Sequence, residues 1–386
     1  MIRRAPKVLQ MIGELVATPS VSSVNPEFDQ GNRAVIERLA GWMTDLGWNA
    51  EVLPIPDHPD KANLIATLGQ GPGGLVLAGH TDTVPFDAQY WSQDPFRLTE
   101  REGRLYGLGT SDMKAFFALA IEAAAGLRAD ELAEPLILLA TADEESSMAG
   151  ARALVELGRP RARHAVIGEP TGLRPVRMHK GMMMEAIHVH GHSGHSSDPS
   201  LGVNALEGMH RVIGDVLAWR AELQAAHRNP LFRVPVPTLN LGRIEGGDNP
   251  NRICGDCELQ IDLRPLPGMD LAELRATLRG RLDTLLQGTG LHGDVEPLFP
   301  GLPAMETPAD AAIVKAAERL TGHPAEAVAF GTEGPFLQQL GMDTLILGPG
   351  DIDQAHQPDE FLALDRIAPT IDLLRQLIHQ LCVRAR

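Results

Sequence analysis

Four short runs of this sequence are apolar at nearly every position and then break into turns that carry histidine, aspartate or glutamate. Gly74–Gly79 leads into His80-Thr81-Asp82, and Leu136–Ala140 leads towards Asp143-Glu144-Glu145. His164–Ile167 runs into Gly168-Glu169-Pro170, and Asp343–Leu347 into Gly348-Pro349-Gly350 and then Ala355-His356-Gln357. A strand that is apolar on alternate and intervening positions alike is buried on both faces. These runs therefore predict an α/β fold with a mostly parallel central sheet covered by helices, for which Lys114–Ala129 and Ala309–Leu320 are candidates. In open α/β sheets, ligands bind outside the carboxyl ends of the strands. Here those ends deliver imidazoles and carboxylates to one side, which predicts a site there.

The interval from Glu169 to His356 is too long for a loop in a compact domain, and it has its own order. Met184–His190 alternates as a strand does, and Ala205–Ala226 carries Leu206, Met209, Val212, Ile213, Val216 and Leu217 at helical spacing. Leu239–Ile244 and Glu258–Arg264 read as strands. Asp270 and Glu273 open a second helix with a stripe of Leu271, Leu274, Leu278, Leu282 and Leu285. A last short strand is expected near Gly293–Leu298. This β-α-β-β-α-β order is that of an α/β sandwich able to fold alone. The expected division is an inserted domain over residues 180–292, between parts of a principal domain at 1–179 and 293–386.

Composition narrows the function. The chain has 386 residues, with 34 Lys and Arg against 50 Asp and Glu, a formal net charge of −16. Such a charge repels phosphate backbones, so no nucleic-acid partner is expected. No apolar run approaches the ~18 residues of a membrane span, so no membrane partner is expected either. Cys254, Cys257 and Cys382 form no disulfide framework, which points to a reducing, cytoplasmic setting. Cys254 and Cys257 make a CxxC without a second pair, and the segment reads as strand rather than as a metal or redox site. Arg3, Arg4 and Lys7 precede a stretch interrupted by Gln10 and Glu14, which reads as an amphipathic helix and not a signal peptide.

The strand ends and the glycine-rich turn Gly107–Asp112 together offer His80, Asp112, Glu145, Glu169 and His356, with Asp82 and Glu144 adjacent. Imidazole and carboxylate without thiolate suit zinc or a similar divalent ion. Three ligand carboxylates and one hydroxide balance the charge of two such ions, which Asp112 could bridge. In His80-Thr81-Asp82 the outer residues project to the same side, so Asp82 is expected to orient the His80 ring. Of the neighbours Glu144 and Glu145, one can ligate while the other serves as general base. Histidines 188, 190 and 192 lie on one strand face and read as surface residues.

These residues lie in recognisable company: GHTDTVP at 79–85, GTSDMK at 109–114, Asp143-Glu144-Glu145, GEPT at 168–171 and AHQP at 355–358. As a set they resemble the M20 family of dinuclear zinc amidohydrolases, over nearly the whole chain. The resemblance implies a zinc-exopeptidase-like catalytic domain and an inserted lid and dimerisation domain, hence a homodimer. It implies two Zn2+, with Co2+ able to substitute, His80 and Glu169 holding one ion, Glu145 and His356 the other, and Asp112 bridging. Glu144 would be the base, Asp82 the orienter of His80, and His195 in GHSSDP at 194–199 the oxyanion partner contributed across the dimer. Asn251 and Arg264 fall where the family contacts substrate, and Glu333 is a candidate partner for a substrate ammonium. Ala115 stands where the family often has glycine. Several stretches, including NRICGDC at 251–257 and GPGDIDQAHQPDE at 348–360, look closest to the branch that cleaves N2-acetyl-L-ornithine to L-ornithine and acetate in arginine biosynthesis. Alternatives are a desuccinylase, dipeptidase or carboxypeptidase on the same metals, or an inactive metal-containing binding protein.

Overall fold

The computed structural model describes residues 6–384. The chain divides into two compact units, each with its own core. One runs to Arg177 and resumes over Thr307–Glu326 and from Thr332; the other comprises Met178–Glu306 and Ala327–Gly331.

In the first unit the four foreseen strands lie side by side and parallel, in the order Leu136–Thr141, Leu75–His80, His164–Pro170, Asp343–Gly348. The sheet as a whole is mixed. A hairpin of Asn49–Ile55 and His58–Leu68 adds two antiparallel strands at one edge, which the apolar-run argument does not reach because Lys61 and Asn63 interrupt the second strand. Period-two alternation sends side chains to opposite sides. Leu75, Leu77, Leu136, Leu138, Val166 and Leu345 enter one core, with Met11, Leu15, Phe116 and Leu374 from helices. Val76, Ala78, Ile137, Leu139, Ala165 and Ile167 enter another with Leu154 and Leu337.

The helix Lys114–Ala123 is buried on nearly every residue, and is shorter than the expected Lys114–Ala129. It packs closely because the sheet offers it glycines. A Cβ on Gly168 would lie 2.1 Å from Phe116 Cγ, and one on Gly79 would lie 2.2 Å from Met113 Cε. Burial of each phenylalanine contributes about 1.5–3 kcal/mol. The same parity turns the next residues, His80 and Glu169, to the opposite side of the sheet from that helix.

The second unit is a four-stranded antiparallel sheet, ordered Thr238–Gly246, Asp256–Arg264, Met183–His190, His292–Pro297. Helices Ala205–Ala226 and Leu271–Leu286 lay Met209, Val212, Val216, Trp219, Leu274, Leu278 and Leu282 against inward-facing Cys257, Leu259, Ile261 and Leu263. The element order is the expected one, β-α-β-β-α-β. Leu206, expected in the helix stripe, is exposed. The expected end at residue 292 falls too early: His292–Pro297 hydrogen-bonds along Met183–His190, which keeps the chain in this unit to Glu306. Outside the sheet's core face, His190 bonds Asp256 and Asp294 and stacks on His188, as surface histidines do.

The N-terminal helix is Val8–Val16, burying Met11, Ile12, Leu15 and Val16; Arg3 and Arg4 lie outside the described residues. Among the described residues no helix is long and apolar enough to cross a membrane.

Candidate metal centre

Parallel register brings the strand ends level, with His80 opposite Thr141. Beyond them, His80, Asp112, Glu145, Glu169 and His356 converge. His80 Nε2 lies 3.0 Å from Asp112 Oδ1 and 3.6 Å from Glu169 Oε1. His356 Nε2 lies 3.6 Å from Asp112 Oδ2 and 3.1 Å from Glu145 Oε2. Asp112 therefore turns one oxygen to each of two histidine–carboxylate sets. Glu144 groups with His80 and Glu169, their donor atoms all within 4.8 Å of one another.

The donor set fits divalent cations. Nitrogen and oxygen ligands about 2.0–2.1 Å from a tetrahedral zinc stand roughly 3.3 Å apart, the range of spacings found here. The electrostatics agree. Burial pushes the Glu144 and Glu169 carboxyls well above their ordinary range, and neighbouring carboxylates add to the effect. Burial opposes ionisation of Asp112 too, but hydrogen bonds from His356 and His80 outweigh it and hold its pKa low. Hydrogen bonds to Asp112 and Glu145 raise His356 to about 10. Carboxylates and imidazoles crowded in this way share protons, and positive ions relieve the same crowding.

The contact expected between Asp82 and His80 is made by a different atom of Asp82. Its main-chain carbonyl accepts from His80 Nδ1 at 3.0 Å, whereas the carboxylate stands 3.7 Å away. Asp82 Oδ2 instead accepts from the Glu145 N–H at 3.0 Å, tying the turn of the two glutamates to the His80 segment. That turn begins at Asp143, which adopts φ +57 and is gripped by Ser22 and by the buried Lys61.

Three residues with no foreseen role support the centre. Lys61 is one. Glu360 is another, accepting from the main-chain N–H groups of Gly109, Ser111 and Asp112, with its carboxyl raised by burial to about 8. Lys114 is the third, buried and donating to Thr18 O and Ser20 Oγ. Lys114 and Glu360 lie inside the motifs quoted above, but only their folded partners reveal what they do.

Glu333 belongs to the same unit as these residues. Glu333 is closed to solvent; one carboxyl oxygen accepts from Thr141 Oγ1 at 2.7 Å, because the helix Gly334–Gln339 draws it inward with Leu337. The other oxygen has no hydrogen-bond partner among the described residues. His195, Asn251 and Arg264 belong to the second unit. His195 is exposed, its Nδ1 accepting from the Ser197 N–H and hydroxyl; Asn251 is exposed; Arg264 Nε donates to Asp262.

An imidazole–carboxylate centre of this build, outside the carboxyl ends of a parallel sheet, is that of a metal-dependent hydrolase. A model of the peptidase family M20/M25/M40 matches residues 76–380, and the chain belongs to that family. It is 49% identical to the acetylornithine deacetylase of Pasteurella multocida (strain Pm70) over 381 residues, 99% of this chain and 100% of the relative. It is 51% identical to the acetylornithine deacetylase of Edwardsiella ictaluri (strain 93-146) over 379 residues, 98% of this chain and 99% of the relative. Among solved structures, the aminopeptidase PepT from Bacillus cereus ATCC 10987 superposes with a TM-score of 0.75 at 22% identity, covering 97% of this chain and 98% of that one. The M20 family metallo-carboxypeptidase Sso-CP2 from Sulfolobus solfataricus gives 0.73 at 19% identity, covering 97% and 98%.

Proposed function

We propose that this chain hydrolyses N2-acetyl-L-ornithine to L-ornithine and acetate, a step of arginine biosynthesis, using two divalent cations. The near-half identity to proteins of that activity, over almost the whole chain, supports the substrate. The observation that carries the two-ion chemistry is Asp112, with one oxygen facing His80 and the other facing His356.

In this reading His80 and Glu169 would hold one ion, Glu145 and His356 the other, and Asp112 would serve both; the ions would be zinc, with cobalt able to replace them. Bound there, such a pair supplies an acidified water and a Lewis acid for the acyl oxygen. Glu144, whose carboxyl burial makes proton-hungry, takes the proton of the attacking water and returns it to the leaving amine. Asp82 keeps the His80 ring aimed through its main-chain carbonyl. Arg264 receives the substrate carboxylate and Asn251 a neighbouring polar group. Glu333, which also accepts from Thr141 Oγ1, is the candidate partner for the substrate ammonium. The second unit pairs two copies, and His195 of the partner subunit steadies the oxyanion. The cytoplasmic setting belongs to the same reading, supported by free, buried Cys254, Cys257 and Cys382.

The test is a substrate panel with zinc-restored protein, scoring acetate, succinate and amino-acid release from N2-acetylornithine, N-succinyl-diaminopimelate and dipeptides. Acetate release from N2-acetylornithine should dominate by orders of magnitude in kcat/KM. Preferential release of succinate or an amino acid would replace the substrate assignment.

A further inference from the structure

The residue that aims Asp112 comes from the segment that also carries His356. The short strand Phe361–Ala363 pairs antiparallel with Arg104–Tyr106, Phe361 opposite Tyr106. This pairing sets Glu360, just before one strand, against the turn that begins at Gly107, just after the other. The Glu360 carbonyl accepts from the Gly107 N–H at 3.0 Å. Its side chain then reaches under the turn. Oε2 accepts from the Gly109 N–H at 3.0 Å, and Oε1 from the N–H groups of Ser111 at 2.7 Å and Asp112 at 2.9 Å.

Glu360 is 1% exposed, and its carboxyl group organises main-chain donors that have no other acceptor among the described residues. A second stitch runs nearby: Ser111 Oγ donates to Asp351 O at 3.2 Å and accepts from Asp351 N at 3.0 Å. The turn bearing Asp112 and the segment bearing His356 are thus laced into one piece. A carboxylate that serves two ions at once must be held to within a few tenths of an ångström, because a small rotation hands both oxygens to one ion.

We infer that Glu360 is a positioning residue for the paired-ion centre: by gripping the Gly109–Asp112 main chain from the His356 segment, it holds Asp112 in its bridging orientation and so secures the ion on the His356 side. This rests on the two-ion reading above.

The test uses full-length protein stripped of metal and titrated with Mn2+, following binding by calorimetry and the spin coupling of the ion pair by electron paramagnetic resonance. Glu360→Gln keeps a carbonyl for Ser111 and Asp112 but turns an N–H donor towards Gly109; Glu360→Ala removes every acceptor. The first ion should bind within a few-fold of native affinity. The second should weaken by about 10–100-fold in the alanine variant and less in the glutamine variant, with loss of the exchange-coupled signal. A global structural role would instead weaken both ions together and leave any pair that formed coupled. If Glu360→Ala does not fold, the glutamine variant decides: native affinity for both ions with an intact coupled signal overturns the inference. A native protein that takes up a single ion overturns the two-ion reading and this inference together. A coupled pair in both native protein and variants overturns the inference alone.

Discussion

Lys61 and Asp143 form a buried ion pair, Nζ 2.9 Å from the carboxylate, with side-chain exposures of only 5% and 6%. Lys61 comes from the edge hairpin and also meets Asp29 at 2.7 Å. Asp143 opens the turn that presents Glu144 and Glu145, so the pair anchors the two glutamates from behind. Removing one partner of such a pair leaves the other charge buried and uncompensated. Lys61→Met should therefore destabilise the protein by about 3–5 kcal/mol in urea unfolding. Asp143→Asn, which keeps the acceptor from Ser22, should cost less.

Glu144 is the proposed base and not a ligand. Glu144→Ala should lower kcat by ~10²–10⁴-fold while metal analysis still finds two ions per chain. Near-native turnover would remove Glu144 from that role, and loss of an ion would make it a ligand.

His195→Ala should lower kcat strongly with little change in metal content. Because the proposal has this histidine act across a dimer, mixed dimers of the His195→Ala and Glu144→Ala chains should regain part of the activity. Absence of recovery in dimers shown to be mixed would confine His195 to its own chain.

His179 gives a pH effect of its own. It is fully buried, its Nδ1–H donating to Lys180 O at 2.7 Å while Nε2 has no partner among the described residues, and burial lowers its pKa to about 4. In the unfolded chain it protonates near 6.5. Between those values the unfolded state binds more protons, so stability falls as the pH drops through this window. The loss approaches about 3 kcal/mol. His179→Asn, which keeps a donor but cannot titrate, should flatten the difference in unfolding free energy between pH 7 and about pH 4.5 in metal-free protein.

Gly168 precedes Glu169 and faces Phe116. Gly168→Ala would place a Cβ 2.1 Å from the ring, so helix or strand must move. Thermal unfolding should show a loss of about 1–3 kcal/mol. Because Glu169 is the next residue of the same strand, ion binding on the His80 side should weaken with it.

Much of this protein is determined by local sequence. Runs such as Leu75–Leu77 and Leu136–Ala140 have one stable use, a strand buried on both faces, and their abrupt polar ends declare where a parallel sheet opens to ligands. His80, Glu145, Glu169 and His356 are legible for that reason, Asp112 from its glycine-rich turn, and the β-α-β-β-α-β order of the inserted unit from its own alternating and helical spacings. The contacts that hold those residues in place emerge only once the chain is folded. Lys61 lies in a strand whose polar interruptions hide it from any periodicity, and its meaning arises from Asp143, 82 positions away. Glu360 acquires its role because a three-residue strand pairing carries it to Asp112, 248 positions distant. Asp82 follows the spacing rule, but its carboxylate is claimed by the Glu145 N–H and its carbonyl takes the imidazole. Burial of a strand depends on neighbours a few residues away along the chain. The satisfaction of a buried charge depends on whatever the finished fold brings within 3 Å, and no local pattern records that.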